Sequence, residues 1–144
     1  MLQAVLLLCC ICTAGAGLFV VRCWATERSR VATAFEYLKE IQHAQQRYFT
    51  QTGTYADRLV DLDLSIPAPA YYAVGELKVV HPETSGLGWR VQLERVGAAP
   101  LFGGYAIAFD GSGFVVHASS VHPWGIPAAL DLWAEHEVQT LAQM

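Results

Sequence analysis

Proline is absent until Pro67. A helix that begins near the amino terminus therefore meets no obligatory break before the middle of the chain. Cysteine is absent after Cys23, which excludes an internal disulfide from everything downstream. Positive charge is scarce: Lys and Arg number 9 against 13 Asp and Glu, for a net charge of −4. The basic face that a nucleic-acid binder needs is missing. No block of like charge occurs, which excludes an electrostatic tail. The sequence contains no G-x-S-x-G elbow and no H-E-x-x-H pair, the signatures of common hydrolase and zinc-protease sites. It shows no internal repeat and no low-complexity segment, so one modest domain with a tail is expected from its 144 residues.

Apolar residues, in contrast, are abundant, at 53% of the chain, with a mean hydropathy of +0.30. Much of the excess lies in the run Ala4 to Val21. As a helix this run is about 27 Å long, close to the hydrocarbon thickness of a bilayer. Ala14-Gly15-Ala16 resembles the cleavage site of a secretory signal. However, no lysine or arginine precedes the run, and Leu18 to Val21 carries it past that cut. Both features favour a retained anchor over a removed signal. Cys9 and Cys12 have C-x-x-C spacing, but thiols in a lipid-facing helix with no His or carboxylate beside them behave as small hydrophobes. Arg22, Arg28 and Arg30 follow the anchor. By the positive-inside rule they would hold the downstream side in the cytoplasm, unless a basic segment upstream of Met1 reverses the balance.

From Arg22 to Phe49 the pattern becomes amphipathic. Val31, Phe35, Leu38, Ile41, Gln45 and Tyr48 recur at three and four residues, and Ala34, Ala44 and Phe49 widen the stripe. Glu36, Lys39, Glu40, His43 and Arg47 fall mostly opposite, with Lys39 and His43 as short-range partners for Glu36 and Glu40. Such a stripe must bury against something, and a sheet is the expected partner. Gly53 is placed to cap the helix in the left-handed conformation. Thr54 to Leu64 reads as a connecting loop, tacked down by Tyr55, Leu59, Leu62 and Leu64. Beyond Pro69 the period changes to two. Residues 71–80, 89–96, 104–109 and 114–118 read as four strands, with Asp110-Gly111-Ser112-Gly113 as a hairpin turn. In the second strand Trp89, Val91, Leu93 and Arg95 share a face. In the third, Tyr105, Ile107 and Phe109 lie opposite the small Ala106 and Ala108. Short connections make the sheet an antiparallel meander. Pro127 opens a predicted C-terminal helix with an apolar stripe of Leu130, Trp133, Ala134, Val138 and Leu141.

The order of elements and the wording of the helix resemble type IV pilins and the pseudopilins of type II secretion. The resemblance rests on Arg28-Ser29-Arg30-Val31-Ala32-Thr33-Ala34, then on Ala44-Gln45-Gln46-Arg47-Tyr48-Phe49-Thr50-Gln51-Thr52-Gly53-Thr54-Tyr55-Ala56. It covers roughly residues 4–66; the sheet agrees in architecture. Three family features differ. The leader motif and its downstream acidic residue are missing, with Gln3 near the place of the latter. A natural start further upstream, with a basic leader, is one expectation; a divergent member anchored without processing is the other. The helix-bending proline of the family's anchor is absent, and Gly15 and Gly17 can supply that flexibility. The cysteine-closed C-terminal loop is replaced by the predicted tail helix.

Periodicity and the resemblance together predict an α+β fold: residues 1–22 a transmembrane half-helix, 23–53 its amphipathic continuation, 54–122 a loop and four-stranded antiparallel sheet, and, from periodicity alone, 123–144 a short C-terminal helix. The resemblance implies a non-enzymatic filament subunit with an inner-membrane anchor and an extracytoplasmic head. The partners would be other pilin or pseudopilin subunits, membrane lipid and the assembly platform. Thr13 and Gly17 form the small-xxx-small pair that close helix contact in lipid requires. A single-pass anchored binding module that never polymerises is the alternative.

Other candidate sites are weaker. His117 and His122 with Ser119 or Ser120 suggest a nucleophile, but scattered histidines in a turn-rich segment are ordinarily solvated. His117, His122 and His136 lack the close spacing of metal ligands. Asp57, Asp61 and Asp63 offer hard ligands for Ca²⁺ without the glycine turn and terminal glutamate of an EF-hand. Gly103-Gly104 and Gly111-x-Gly113 open no helix and so cradle no phosphate. No catalytic, cofactor or metal residue is therefore assigned. Trp124, Trp133, Tyr71 and Tyr72 are candidates for a subunit contact or for plain core packing.

Overall fold

A computed structural model describes residues 2–80, 88–97 and 101–120. One helix, α1, runs unbroken from Leu2 to Thr52, about 76 Å at the usual rise per residue. It passes through Arg22, where the apolar run ends, without interruption. Its end is chemically specified. Gly53 takes φ +78°, and its N–H donates to the Phe49 carbonyl at 2.8 Å. The Thr52 hydroxyl donates to the Tyr48 carbonyl at 2.9 Å. The first bond uses a carbonyl that a helix end otherwise leaves unpaired, and the second ties the last side chain back onto the final turn.

An antiparallel sheet packs on the second half of α1. The fold is α+β, but the sheet has five strands among the described residues rather than the expected four. They are β1 (Tyr72–Val74), β2 (Lys78–Val79), β3 (Trp89–Arg95), β4 (Ala106–Asp110) and β5 (Gly113–Phe114). β1 and β2 share one edge of β3, β4 lies on its other edge, and β5 follows β4. The predicted strand 71–80 is thus two pieces. Val74 is paired with Leu93, and Lys78 with Arg90. Gly75, Glu76 and Leu77 therefore stand opposite only Val91 and Gln92, which is a bulge. The extra residue brings Leu77 into the core while Lys78 and Val79 stay exposed. Gly75 makes this possible: its N–H donates to the Gln92 carbonyl at 2.8 Å, and a Cβ there would lie 2.9 Å from that same oxygen.

The predicted strand 114–118 is also corrected. Pairing ends at Phe114, and Val116–Ala118 is a 3₁₀ turn lying against β4. This turn, with Ser119 and Ser120, lies beside Ala106 and Ala108, which are buried on the side away from α1. The Pro127 helix, Trp124 and Trp133 fall outside the described residues. The hairpin turn is held by Asp110, whose Oδ1 accepts from the Ser112 N–H at 2.9 Å and from its hydroxyl at 2.6 Å.

The core lies between α1 and the inner face of the sheet. Val31, Ala34, Phe35, Leu38, Ile41 and Ala44 of α1 meet Trp89, Val91, Leu93, Ile107 and Phe109. The Phe35 and Phe109 rings meet edge to face at 5.4 Å. Val31, Leu38, Ile41, Leu93 and Ile107 are wholly buried, each worth about 1.5–3 kcal/mol. Tyr37 joins this core, and burial raises its pKa. Phe49 stays at the rim, stacked on Tyr55 at 4.6 Å.

Polar arms from α1 fasten the connections. Gln45, fully buried on the apolar stripe, donates from Nε2 to the Ala56 carbonyl at 2.9 Å and accepts the Ala56 N–H at 3.0 Å. Gln42 donates to the Gly111 carbonyl at 3.0 Å. Arg47 donates to the Asp63 carbonyl and to Glu40, so Glu40 pairs with Arg47 rather than with the expected His43.

Substitution at the bulge tests this register. Gly75→Ala should destabilise the head by about 1–3 kcal/mol, because the new Cβ meets backbone that cannot yield easily. Gly104→Ala, where nothing lies within 4 Å of the added carbon, should change stability by less than about 0.5 kcal/mol. Denaturant unfolding of the two variants checks this; equal effects would contradict the bulge.

Candidate assembly surface and its anchoring clasp

The head begins at Glu27. Upstream, the described side chains from Cys12 to Arg22 are all exposed on α1. Leu18, Phe19, Val20 and Val21 lie uncovered in succession, a contiguous apolar patch of the kind that marks an interaction surface. Thr13 and Gly17 lie one turn apart on this half. A Cβ built on Gly15 or Gly17 meets nothing within 4 Å, so both positions leave the helix backbone open to close approach. Among the described residues, whose side chains in this helix are Gln3 and those from Cys12 onward, no stretch is long and apolar enough to cross a membrane.

Where the free half meets the head, polar groups replace apolar ones. Arg95 follows Trp89, Val91 and Leu93 on the inward face of β3, and period two carries its guanidinium inside. Its neighbours on that face are Tyr72, its register partner in β1, and Tyr105, whose carbonyl accepts the Arg95 N–H at 2.8 Å. Glu27 lies one helical turn before Val31 and points at all three. Arg95 Nε donates to Glu27 Oε1 at 2.6 Å, and Nη2 to Oε2 at 3.2 Å. The Tyr105 hydroxyl donates to Oε1 at 2.8 Å and shares a 2.8 Å bond with the Tyr72 hydroxyl. Arg30 adds a bond to Oε2 at 3.1 Å and places its guanidinium 4.0 Å from the Tyr71 ring. Arg95 Nη1 completes its bonds with the Tyr71 and Val96 carbonyls. Glu27 is only 2% exposed and Arg95 only 6%.

The electrostatics follow from burial and bonding together. Burial pushes the Glu27 carboxyl up, but bonds from Arg95, Tyr105 and Arg30 and the charge of Arg95 outweigh it, holding the pKa below 4.5. The bond to Glu27 raises the pKa of Arg95 against its own desolvation. Burial pushes Tyr72 up to about 12. Burial, then the bonds to Tyr72 and Glu27, raise Tyr105 as well. At neutral pH the site therefore holds one carboxylate, two guanidinium groups and two neutral phenols. It fixes position; it offers no group poised to exchange a proton near neutrality.

The residues singled out from sequence lie elsewhere. His117 is exposed on the 3₁₀ turn, and His122 and His136 fall outside the described residues. Ser119 and Ser120 serve the backbone. The Ala108 N–H donates to Ser119 Oγ and the Ala106 N–H to Ser120 Oγ, both at 3.0 Å. Ser119 in turn donates to the Val115 carbonyl at 2.7 Å. The hydroxyls thus finish the edge of β4 beyond β5. Asp61 is bound by Arg58 through two bonds of 2.9 Å, and Asp57 lies 3.8 Å from the same guanidinium. Among the described residues no three of His, Cys, Asp and Glu are grouped to hold a metal ion. Tyr71 is half-exposed beneath Arg30, whereas Tyr72 is buried in the clasp. No spacing in the sequence joins Glu27 and Tyr105 into one site. A carboxylate on the apolar stripe, with an arginine on the inward face of a strand, was the signal.

Glu27→Gln should destabilise the head by about 3–5 kcal/mol at pH 7, because it leaves Arg95 buried without a countercharge. Replacing both partners, as Glu27→Leu with Arg95→Met, should recover most of that loss. The Glu27 contribution is complete above pH 4.5, the ordinary carboxylate value, and is lost as pH falls through the lower folded value. Unfolding curves of the wild type and Glu27→Gln should therefore converge on acidification, and a constant gap would contradict the assignment. The chain matches no protein-family model, no curated protein and no solved structure.

Proposed function

We propose that this chain is a non-enzymatic structural subunit of a type IV pilus-like or type II secretion pseudopilus filament. The observation that carries the reading is the unbroken helix Leu2–Thr52. Its second half is bound under the sheet, and its first half is apolar in sequence and exposed from Cys12 to Arg22. The run Ala4 to Val21 suits an inner-membrane anchor before assembly and a helical filament core after it. In both settings water is excluded, and close helix contact favours small residues such as Thr13 and Gly17. The head then stands on the extracytoplasmic side. Other pilin or pseudopilin subunits, the assembly platform and membrane lipid are the partners of this reading.

The test uses the cysteines already on the stalk. Cys12 is exposed and free. In cells with a pilus or secretion assembly system, a membrane-permeant thiol cross-linker should give a ladder of chain multimers or mixed species with another pilin. Gly17→Leu should abolish the ladder, because the larger side chain separates the helices, while the monomer stays in the membrane pellet. A chain found only as membrane-bound monomer would sink the filament reading and leave the anchored binding module. A chain found in the soluble fraction would sink both.

A further inference from the structure

The helix leaves the head through a collar of unusual composition. Arg22 and Arg28 are exposed on α1, and no ion pair among the described residues includes either. The nearest carboxylate in sequence, Glu27, is already taken by Arg95, Arg30 and Tyr105. Arg30 is likewise committed, to Glu27 and to the Tyr71 ring. Between the two free arginines stands Trp24, half-buried, with the Arg28 guanidinium 5.4 Å from its ring. Two unpaired cations and an indole thus occupy the two turns after the uncovered Leu18–Val21 patch.

Helix geometry gives the collar a direction. Each Cα–Cβ bond tilts toward the helix amino terminus, so long side chains cover the preceding turn. Arg22, Trp24 and Arg28 therefore reach back toward Val21 and the apolar run. Arg22 begins one residue past that run, and Arg28 lies about 10 Å beyond it. The headgroup layer on each side of a bilayer is about 5–7 Å deep, so the two arginines bracket it. A guanidinium matches a phosphate with two parallel bonds, and an indole presents an apolar body with one N–H donor.

We propose that Arg22, Trp24 and Arg28 form a binding collar for the phosphate headgroups of anionic phospholipids. The proposal rests on the anchored reading of the stalk, and not on polymerisation. Charge complementarity chooses the partner: the collar carries two uncompensated positive charges on a chain that is acidic overall. Arginine also selects by geometry as well as charge, since lysine offers a point charge without the fork.

The test inserts the full chain into nanodiscs of phosphatidylcholine with a minor fraction of phosphatidylglycerol. Native mass spectrometry then reads the lipids that stay with the released chain. Phosphatidylglycerol should be retained in preference to phosphatidylcholine, and added salt should weaken the preference. Arg22→Gln or Arg28→Gln alone should reduce it about five-fold, and the two together about thirty-fold. The paired lysine substitutions, which keep the charge without the fork, should retain only part of it. Neither arginine enters the clasp or the core, so the variants should retain the wild-type circular dichroism. Equal retention of the two lipids, or undiminished preference in the paired glutamine variant, would overturn the collar. Alkaline extraction of membranes separates this from the underlying reading. A chain that stays in the pellet without lipid preference overturns the collar alone. A chain released to the supernatant overturns the anchor and the collar together.

Discussion

Glu27 and Arg95 meet where the helix stops being covered, and the rest of the molecule is arranged around that meeting. Desolvating two charges costs several kcal/mol per ion, and their attraction must repay it. An apolar pair of the same volume would hold the helix to the sheet at comparable strength. It would also tolerate sliding and rotation, because dispersion contacts have no direction. Carboxylate bonds to Arg95 and Tyr105, both on the sheet side, do have direction. They allow one axial position and one rotation of α1 against β3. A ridge of apolar residues from Val31 to Ala44 supplies most of the adhesion, and the clasp sets the register at its end.

The same division recurs at the other end of the head. Gln42, Gln45 and Arg47 each extend from α1 to a backbone group in a connection: Gly111, Ala56 and Asp63. The helix is thus a template for the loops as well as a face of the core. Gln45 is instructive because it sits on the apolar stripe and is wholly buried. A buried amide is tolerated only when both its ends are bonded, and the Ala56 backbone satisfies both. The edge of β4 follows the same rule. Beyond Val115 the chain turns away, and serine hydroxyls take the place of ladder acceptors for the Ala106 and Ala108 N–H groups.

These particulars explain what was legible in the sequence. The helix, its stop at Gly53 and its buried stripe follow from spacing and from residue chemistry, which are local. The inward alternation along β3 was readable for the same reason. The split of 71–80 was not, because the bulge depends on how many residues of β3 stand opposite, a property of pairing. The early end of the last strand was hidden as well: Val116 and Ala118 have the composition of a strand, and only contact with β4 shows them as a turn. The clasp lay between these cases. Arg95 was placed on the inward face, but its partner lies in α1, far upstream, and no local pattern connects the two. The serines looked like chemistry because hydroxyl groups near histidines suggest it; their bonds to β4 give them structural work instead.

The clasp also divides the chain into two parts with separate duties. Upstream of Trp24 the described side chains make no contact in the core, so the head draws no packing from them. Downstream, the residues that bury against the sheet are already satisfied and offer little to a partner. On the proposed reading, a rod built this way would exchange one apolar environment for another along its first half without remodelling the head. The energetic reason is locality: transfer between lipid and a packed helical core changes contacts only where side chains are uncovered. What must not change is the angle at which the rod emerges, since small rotations at the base become large displacements along a free half of about 37 Å. Directional bonds at Glu27 are the means by which the fold resists that rotation, and their position at the base is what lets one buried ion pair govern the whole stalk.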